Sequence, residues 1–291
     1  MCIRDRYSKA KTLYEKLIFA DLTQDGTISS YENFISEYPD TPYRDSIEIT
    51  LLKKYTVDNS PDGFIKFISN FPKSKYFETA ANFLYHLMKR DLSKLKGLEI
   101  DKVVLDSLEK ISSVDKISLI GIYEEPFTNF INGTGEKILS NSSYEFDLDY
   151  FCSFTLEDFL VAKRSDRKVI LGRDFTEIYS NDFSYVEDMG VGLIKVFSED
   201  GLSVLHKSGK LLLDGEYDNG YLVNDSYLLI ENDEEYILFT VMGERVFDSK
   251  FSDVYKEGPF IIFESADTDK ISVTNPSKIR ELFLEGYELE F

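Results

Sequence analysis

Residues 200–230 read DGLSVLHKSGKLLLDGEYDNGYLVNDSYLLI, and their pattern returns along the chain at a fixed interval. Sliding this unit forward by 34 residues sets Gly209 on Gly243, Tyr217 on Phe251, Tyr221 on Tyr255, and Tyr227-Leu228-Leu229 on Ile261-Ile262-Phe263. One apolar triplet occurs four times at that spacing, as Val169-Ile170-Leu171, Ser203-Val204-Leu205, Ile237-Leu238-Phe239 and Ile271-Ser272-Val273. An earlier copy at 126–139, PFTNFINGTGEKIL, fits with about six extra residues after Gly135, an insertion that a surface loop tolerates. This makes five units, the first irregular and the last partial.

Within a unit, apolar runs are punctuated by turn residues such as Lys207-Ser208-Gly209 and Asn224-Asp225-Ser226, which predicts roughly three short strands joined by tight turns. Ser208-Gly209 and Met242-Gly243 predict hairpin turns with φ > 0 at the glycine, a conformation that costs glycine nothing sterically. A single meander cannot bury its apolar face, so neighbouring units must stack or circle to share a core. The skeleton of turn-glycine, aliphatic strand and tyrosine followed by an acid (Lys207-Ser208-Gly209, 210–213, Tyr217-Asp218) resembles that of bacterial WG-repeat proteins. The chain has no tryptophan, and Leu202-Ser203 and Tyr236-Ile237 stand where that family has Trp-Gly. The resemblance covers 126–291 and implies an interaction repeat without a shared catalytic site.

A second repeat precedes it. YENFISEYPDTPYRDSIEI (31–49) aligns without a gap on FIKFISNFPKSKYFETAAN (64–82) at an interval of 33 residues, with Phe34, Ile35, Ser36, Pro39 and Tyr43 recurring as Phe67, Ile68, Ser69, Pro72 and Tyr76. This spacing predicts stacked helix pairs. Pro39 and Pro72 end each first helix, Thr27 and Ser60 cap the first helices, and Thr41 and Ser74 cap the second, with Pro42 and Pro61 suited to the first helical position. The aromatic-x-x-Phe-Ile-x-x-Tyr-Pro pattern resembles the tetratricopeptide-like repeats of bacterial envelope lipoproteins. Before these pairs, Ala10, Leu13, Tyr14, Leu17 and Ile18 mark an amphipathic helix over 7–18, whose upstream partner is expected to be missing. A further helix is predicted from Asp101 to Ser112-Ser113, burying Val104, Leu108 and Ile111, followed by a strand at 116–123. The organisation read from the sequence is therefore α+β in separate domains: a helical-repeat domain over 7–113 and an all-β repeat domain over 114–291, propeller-like or stacked. No Pro-rich or Gly/Ser-rich linker separates them, which predicts a packed junction. Residues 1–6, MCIRDR, read as translated sequencing-adapter sequence and are set aside.

The chain has 33 basic and 53 acidic residues, a formal net charge of −20, with the acids spread through turns and helix faces. That balance repels phosphate backbones and anionic membrane surfaces, and excludes nucleic acid as the expected partner. No apolar run reaches the ~18 residues of a membrane span. Setting Cys2 aside leaves Cys152, in an aromatic context that suits a buried apolar side chain, so no intrachain disulfide is expected.

The sharpest motif is DLTQDGTISSYE at 21–32, which places Asp21, Thr23, Asp25, Gly26, Ile28, Ser29 and Glu32 at EF-hand loop positions, where alternating oxygens and a bidentate glutamate wrap a calcium ion. Asp58, Ser60, Asp62, Gly63 and Ile65 form a partial second match that ends in Ser69. The 33-residue helix repeat accounts for both segments and is preferred; calcium binding through Asp21, Thr23, Asp25 and Glu32 stands as the alternative. His86 and His206 fall in different domains without metal-ligand spacing and read as structural or solvent-facing. The acidic clusters Glu145-Asp147-Asp149 and Asp233-Glu234-Glu235 read as solvated turn or strand charge, Gly190-Val191-Gly192 lacks the rest of a dinucleotide fingerprint, and the sequons at Asn132, Asn141 and Asn224 reflect turn composition. No cofactor motif and no catalytic motif is found. The expected function is a non-catalytic scaffold binding protein or glycan, with the cell envelope favoured over the cytoplasm.

Overall fold

The computed structural model describes residues 3–89, 101–124, 127–146, 154–155, 158–268 and 270–291. Helix α1 (Ile3–Leu22) is followed at the predicted spacing by α2 (Ile28–Glu37) with α3 (Arg44–Tyr55), and by α4 (Pro61–Asn70) with α5 (Phe77–Met88). A proline disfavours αR geometry in the residue before it, and Tyr38 and Phe71 duly leave the helix at φ −121°, ψ 68° and φ −127°, ψ 56°. Thr27 caps α2 by accepting the Ser30 backbone N–H (3.2 Å), and Pro61 opens α4 with Ser60 before it. The second helices begin later than Thr41, Pro42 and Ser74 suggest. The Thr41 and Ser74 hydroxyls instead accept the N–H groups of Tyr43 (3.3 Å) and Tyr76 (3.1 Å), closing a turn before the helices open at Arg44 and Phe77. Helix α6 (Lys102–Asp115) buries Val104 and Leu108 and runs past Ser112-Ser113, because Ser112 itself is buried.

The β part consists of antiparallel meanders in four sheets. The first orders β3 (Lys137–Ser142), β2 (Phe127–Ile131), β1 (Leu119–Glu124) and β5 (Phe154–Thr155); the second, β4 (Glu145–Phe146), β6 (Phe159–Arg164), β7 (Arg167–Gly172) and β8 (Glu177–Asn181). The third orders β12 (Leu211–Gly215), β11 (Gly201–His206), β10 (Leu193–Ser198) and β9 (Tyr185–Gly190). The fourth runs β13 (Asn219–Val223), β14 (Tyr227–Asn232), β15 (Glu235–Thr240), β16 (Phe251–Glu257), β17 (Phe260–Ser265) and β18 (Ile271–Thr274). The four repeated apolar triplets fall in β7, β11, β15 and β18, the same strand of successive meanders.

Sheets of four strands exceed the three per unit read from the sequence. Edge strands such as β8 and β9 are half-exposed and carry few aliphatic residues, so their alternation is weak. In the fourth sheet the strand equivalent to β12 shrinks to one bridge, Phe239 with Arg245. One interval later the chain forms α7 (Pro276–Glu285), and the buried Ile279 takes the equivalent place.

Each repeat hairpin closes in the same way. Gly135, Gly209 and Gly243 sit at φ +84°, +84° and +82°, each donating its N–H three residues back, to Asn132, His206 and Thr240. The corresponding residue of the second sheet is Phe175, at φ +62°, with its N–H donated to the Gly172 carbonyl. An aromatic residue is strained there, and the ring is retained against Phe130 and Phe146 at 5.2 and 6.3 Å.

The sheets share cores in chain order. Leu119 and Phe130 pack with Leu160, Val169 and Leu171; Ile170 packs with Ile194, Val196 and Leu205; Leu202 and Val204 pack with Leu228, Ile230 and Phe239. Among the described residues no buried cluster joins the first sheet to the fourth. The cluster between the third and fourth sheets continues without a break into the helices, through Leu51, Phe64, Phe83 and Leu84. Among the described residues, no helix is long and apolar enough to cross a membrane.

The turn glycines differ in surroundings. A Cβ on Gly209 meets only Ile178 at 3.4 Å or beyond, so Gly209→Ala should cost the positive-φ strain alone, about 1 kcal/mol. At Gly243 a Cβ runs into the carbonyl of Leu212, and Gly243→Ala should cost about twice as much or more, read from urea unfolding midpoints.

Candidate functional site

The helical and β parts meet at a polar cluster inside an apolar seam. His206, the last residue of β11, is fully buried and lies flat against Phe83 of α5, with ring centroids 3.8 Å apart and planes 11° apart. His86, one turn along α5, meets the His206 ring edge-on at 5.3 Å and 74°. Gly192 makes room for both, since a Cβ there would collide with the His206 ring and with His86. The Ser208 backbone N–H donates to His206 Nδ1 (3.1 Å), which places the ring proton on Nε2. Nε2 of His206 and Nδ1 of His86 are buried without a hydrogen-bond partner.

Around this pair runs a chain of alternating charges. Lys89, the residue after α5, bonds Asp115 of α6 (2.9 Å) and Asp158; Asp158 takes Lys207 (2.6 Å), and Lys207 takes Asp188 of β9 (2.6 Å). The Tyr85 hydroxyl donates to Asp115 (2.8 Å). Burial pushes the Asp158 carboxyl up, and the two lysines outweigh it and hold it at about 2. The Lys207 side chain is only 6% exposed, so its charge rests on these carboxylates rather than on water. A cleft of about 410 Å³ opens beside the network, lined by Glu78, Asn82, Lys110, Arg173 and Glu177 among others. Both oxygens of Asp158 and the Lys207 ammonium are already engaged, so the network reads as a mechanical link between the helices and the second and third sheets.

A different surface repeats along the β part. Tyr185 and Glu187 share one face of β9, Asn219 and Tyr221 one face of β13, and Asp253 and Tyr255 one face of β16. The three tyrosines are 52%, 41% and 40% exposed, and each hydroxyl donates to a carboxylate: Glu187 (3.1 Å), Glu231 (3.1 Å) and Glu264 (3.3 Å). Carboxylate neighbours raise the hydroxyl pKa of Tyr185, where the Glu187 hydrogen bond is the largest cause; at Tyr221 and Tyr255 burial leads and the carboxylates add to it. The third and fourth sheets are joined here by Lys195, buried beside Tyr221. It pairs with Glu187 (3.1 Å) and stands 5.8 Å from the ring centres of both Phe197 and Tyr221. Phe197 in turn contacts Tyr185 at 6.0 Å. The result is a cluster of the Tyr185, Phe197 and Tyr221 rings around Lys195, with the tyrosine–carboxylate bond repeated at Tyr255 on β16.

Of the EF-hand-like residues, Asp25 accepts the N–H (3.0 Å) and hydroxyl (3.1 Å) of Thr27, and the Thr23 hydroxyl donates back to the Phe19 carbonyl (2.6 Å). Glu32 lies inside α2 and accepts from the Tyr55 hydroxyl and from Lys66 (3.0 Å). Burial raises its pKa, and these two partners bring it below the usual range. Asp21 lies on α1. Calcium ligation there would take Glu32 away from both partners. In the second match Asp58 accepts the Ser60 N–H (3.2 Å) and faces Arg280 at 3.8 Å.

Asp233 and Glu234 occupy a tight turn at φ +52° and +64°, and Glu235 pairs with Lys250. Asn132 braces its own hairpin by accepting the N–H groups of Thr134 (3.0 Å) and Glu136 (2.9 Å), and Asn224 sits at φ +58° in a turn. Gly190-Val191-Gly192 form a hairpin turn with φ +93°, +45° and +85° and lead into a strand. Cys2, Cys152, Asp147, Asp149 and the Asn141 side chain lie outside the described residues, and Glu145 is on β4. Sequence reasoning missed the contact of His86 with His206, which no spacing signals. The recurring tyrosine–carboxylate pair was foreshadowed only by the registration of Tyr221 on Tyr255.

No protein-family pattern matches the chain, and no curated protein matches it. A solved structure, described as KlHsv2 with loop 6CD replaced by a Gly-Ser linker, is similar with a TM-score of 0.25 and 12% identity over 46% of this chain. The similarity spans 48% of that structure, about half its length.

Burial, and then the positive charge of Lys207, hold the His86 imidazole down to about 4; burial and His86 also hold His206 well below the usual value. Both are therefore neutral in the folded protein, while an unfolded chain protonates them near 6.5. Their contribution to stability is complete above pH 6.5 and is lost as pH falls toward 4, on the order of 3 kcal/mol for His86 alone. Asp158 acts in a lower window, between 3.8 and about 2. Urea midpoints should hold from pH 7.5 to about 6.5 and fall from there to pH 4.5, and His86→Leu should flatten that fall.

Proposed function

We propose that the protein is a non-catalytic interaction scaffold that binds a glycan or protein partner at a bacterial cell envelope. The observation that carries this reading is the recurrence of an exposed tyrosine bonded to a carboxylate, Tyr185 with Glu187, Tyr221 with Glu231 and Tyr255 with Glu264. Exposed tyrosines supply rigid contact area at low entropic cost, and here they recur with the repeat. Of the two partner classes, a neutral glycan fits the chemistry better. Sugar rings present C–H faces that stack on aromatic rings, and their hydroxyls donate to carboxylates. The net charge of −20 disfavours phosphate-rich polymers on the same face.

The resemblance of the β units to WG repeats and of the helix pairs to tetratricopeptide-like repeats of envelope lipoproteins supports the same class of function and the same compartment. Both are scaffolds in which a regular framework carries contact residues. The geometry of Glu32, held by Tyr55 and Lys66, makes a calcium-regulated module the weaker reading.

Binding to a panel of neutral envelope glycans, measured by retention on the immobilised polymer, should weaken at least about ten-fold in the Tyr221→Ala, Tyr255→Ala double variant. Both positions are exposed, so the melting temperature should stay near that of the parent. Glycan binding that ignores both substitutions, or a hydrolase or transferase activity abolished by one point substitution, would contradict the proposal.

A further inference from the structure

His86 and His206 stand at the end of the seam that borders the cleft. His86, Lys207 and Ser208 line the cleft, whereas Phe83, which lies flat on His206, belongs to the apolar cluster. The Gly190-Val191-Gly192 turn closes over both rings: a Cβ on Gly192 would lie 2.5 Å from Nε2 of His206 and 2.6 Å from Cβ of His86. Nε2 therefore faces backbone carbon rather than an acceptor, and it and Nδ1 of His86 stay unpartnered. The turn is tied to the next hairpin by the Lys207 N–H, which donates to the Gly192 carbonyl (2.8 Å). Val191 is kept at φ +45° in this turn, a left-handed conformation that a β-branched side chain disfavours.

A proton added to either ring in this arrangement finds no acceptor inside the pair, and the second ring is 5.3 Å away. The charges around the pair come from every element that meets there. The β11–β12 hairpin supplies Lys207 and Lys210, and the end of α5 supplies Lys89 and the Tyr85 hydroxyl. Helix α6 supplies Asp115, β9 supplies Asp188, and Asp158 bridges Lys89 and Lys207. Across the cleft stand Arg173, Asp174 and Glu177, with Glu78 and Lys110 exposed at its mouth. The lysines oppose a further positive charge under the turn. Asp115 and Asp158 line the cleft, and Asp158 keeps its charge down to about 2. In mild acid the cleft thus still offers a carboxylate to an imidazolium that leaves the seam.

We propose that the His86–His206 contact is an acid-operated latch: protonation of the two rings moves the 190–192 turn and the 206–209 hairpin away from the end of α5 and widens the cleft, while the apolar cluster through Leu51, Phe64, Leu202 and Leu228 stays packed. One end of the seam opens because the rings, the turn and the cleft all lie there, and the apolar cluster holds no group that titrates between pH 7 and 4. The step differs from the global loss of stability in acid, since it exposes the seam in a chain that stays folded. Its sign follows from the neutral rings: the closed state is favoured above about pH 6.5, and protons draw the equilibrium toward the open state as pH falls toward 4.

Native-state hydrogen exchange of the full chain in low urea, corrected for the intrinsic effect of pH on exchange, tests the latch. The reporters are the Lys207 and Gly209 amides, bonded to the carbonyls of Gly192 and His206, and the amides of residues 84–88; those of β16 and β17 are the comparison. Between pH 8 and pH 5 the opening constant of the reporters should rise about 30-fold from His86 alone, and further with His206, with almost no dependence on urea. The β16 and β17 amides should follow the urea slope of global unfolding, with an opening constant at least about ten-fold smaller at pH 5. In the His86→Leu, His206→Leu double variant the reporters should open equally at the two pH values. A reporter opening constant that ignores pH overturns the proposal. So do reporters that share one opening constant and one urea slope with β16 and β17 at pH 5, or a folded double variant that keeps the parent's rise. The first two outcomes are read from the parent protein, so a double variant that fails to fold leaves the test standing.

Discussion

The stacking of Phe83 on His206 is the contact on which the arrangement of the two parts depends. It lies in a seam where Leu51, Phe64 and Leu84 of the helices share one apolar cluster with Leu202, Val204, Leu228 and Phe239 of the β units. Burying a histidine there is tolerable only if the ring stays neutral, and of its two nitrogens one is satisfied, since among the described residues Nε2 has no hydrogen-bond partner. The Ser208 N–H satisfies Nδ1, and Lys207 is drawn away to Asp158 and Asp188. Lys89, Asp158 and Lys207 each hold two partners, so the chain ties α6 and the end of α5 to Asp158 and to the third sheet through several linked ion pairs. The network therefore fixes where the helices sit on the sheets.

From this constraint the division of surfaces follows. Each sheet buries its faces against its neighbours, and the helices cover the third and fourth sheets. Exposed on β9, β13 and β16 are Tyr185, Tyr221 and Tyr255, each with its carboxylate partner. Under the proposed reading, recognition is concentrated where the β repeat leaves residues uncommitted to packing.

Much of this was legible in the sequence, for physical reasons that also explain the rest. A repeating fold must satisfy the same packing in each unit, so the apolar triplets recur in β7, β11, β15 and β18, and the proline stops recur after α2 and α4. Gly209 and Gly243 announced their turns because the backbone there needs positive φ. Phe175 hid the same turn, since aromatic packing holds a side chain where glycine is expected. Edge strands β8 and β9 were faint because half-exposed strands need no strict alternation. The meeting of His86 and His206 left no trace in spacing, because it arises only when the end of α5 is laid against a hairpin far along the chain. The recurring tyrosine–carboxylate pair was half visible: Tyr221 and Tyr255 register on each other, whereas Tyr185 is offset by two residues and its carboxylate partner is local.

The central claim is that the helical repeat and the β repeat are held by one shared core at this seam. Native-state hydrogen exchange on the parent protein and on Phe83→Ala tests it most directly, by following the amides of α4 and α5 beside those of β10 and β11. The shared core predicts that the substitution lowers protection in both sets together, by about 3–5 kcal/mol. Loss of protection confined to the helices, with β10 and β11 unchanged, would contradict it.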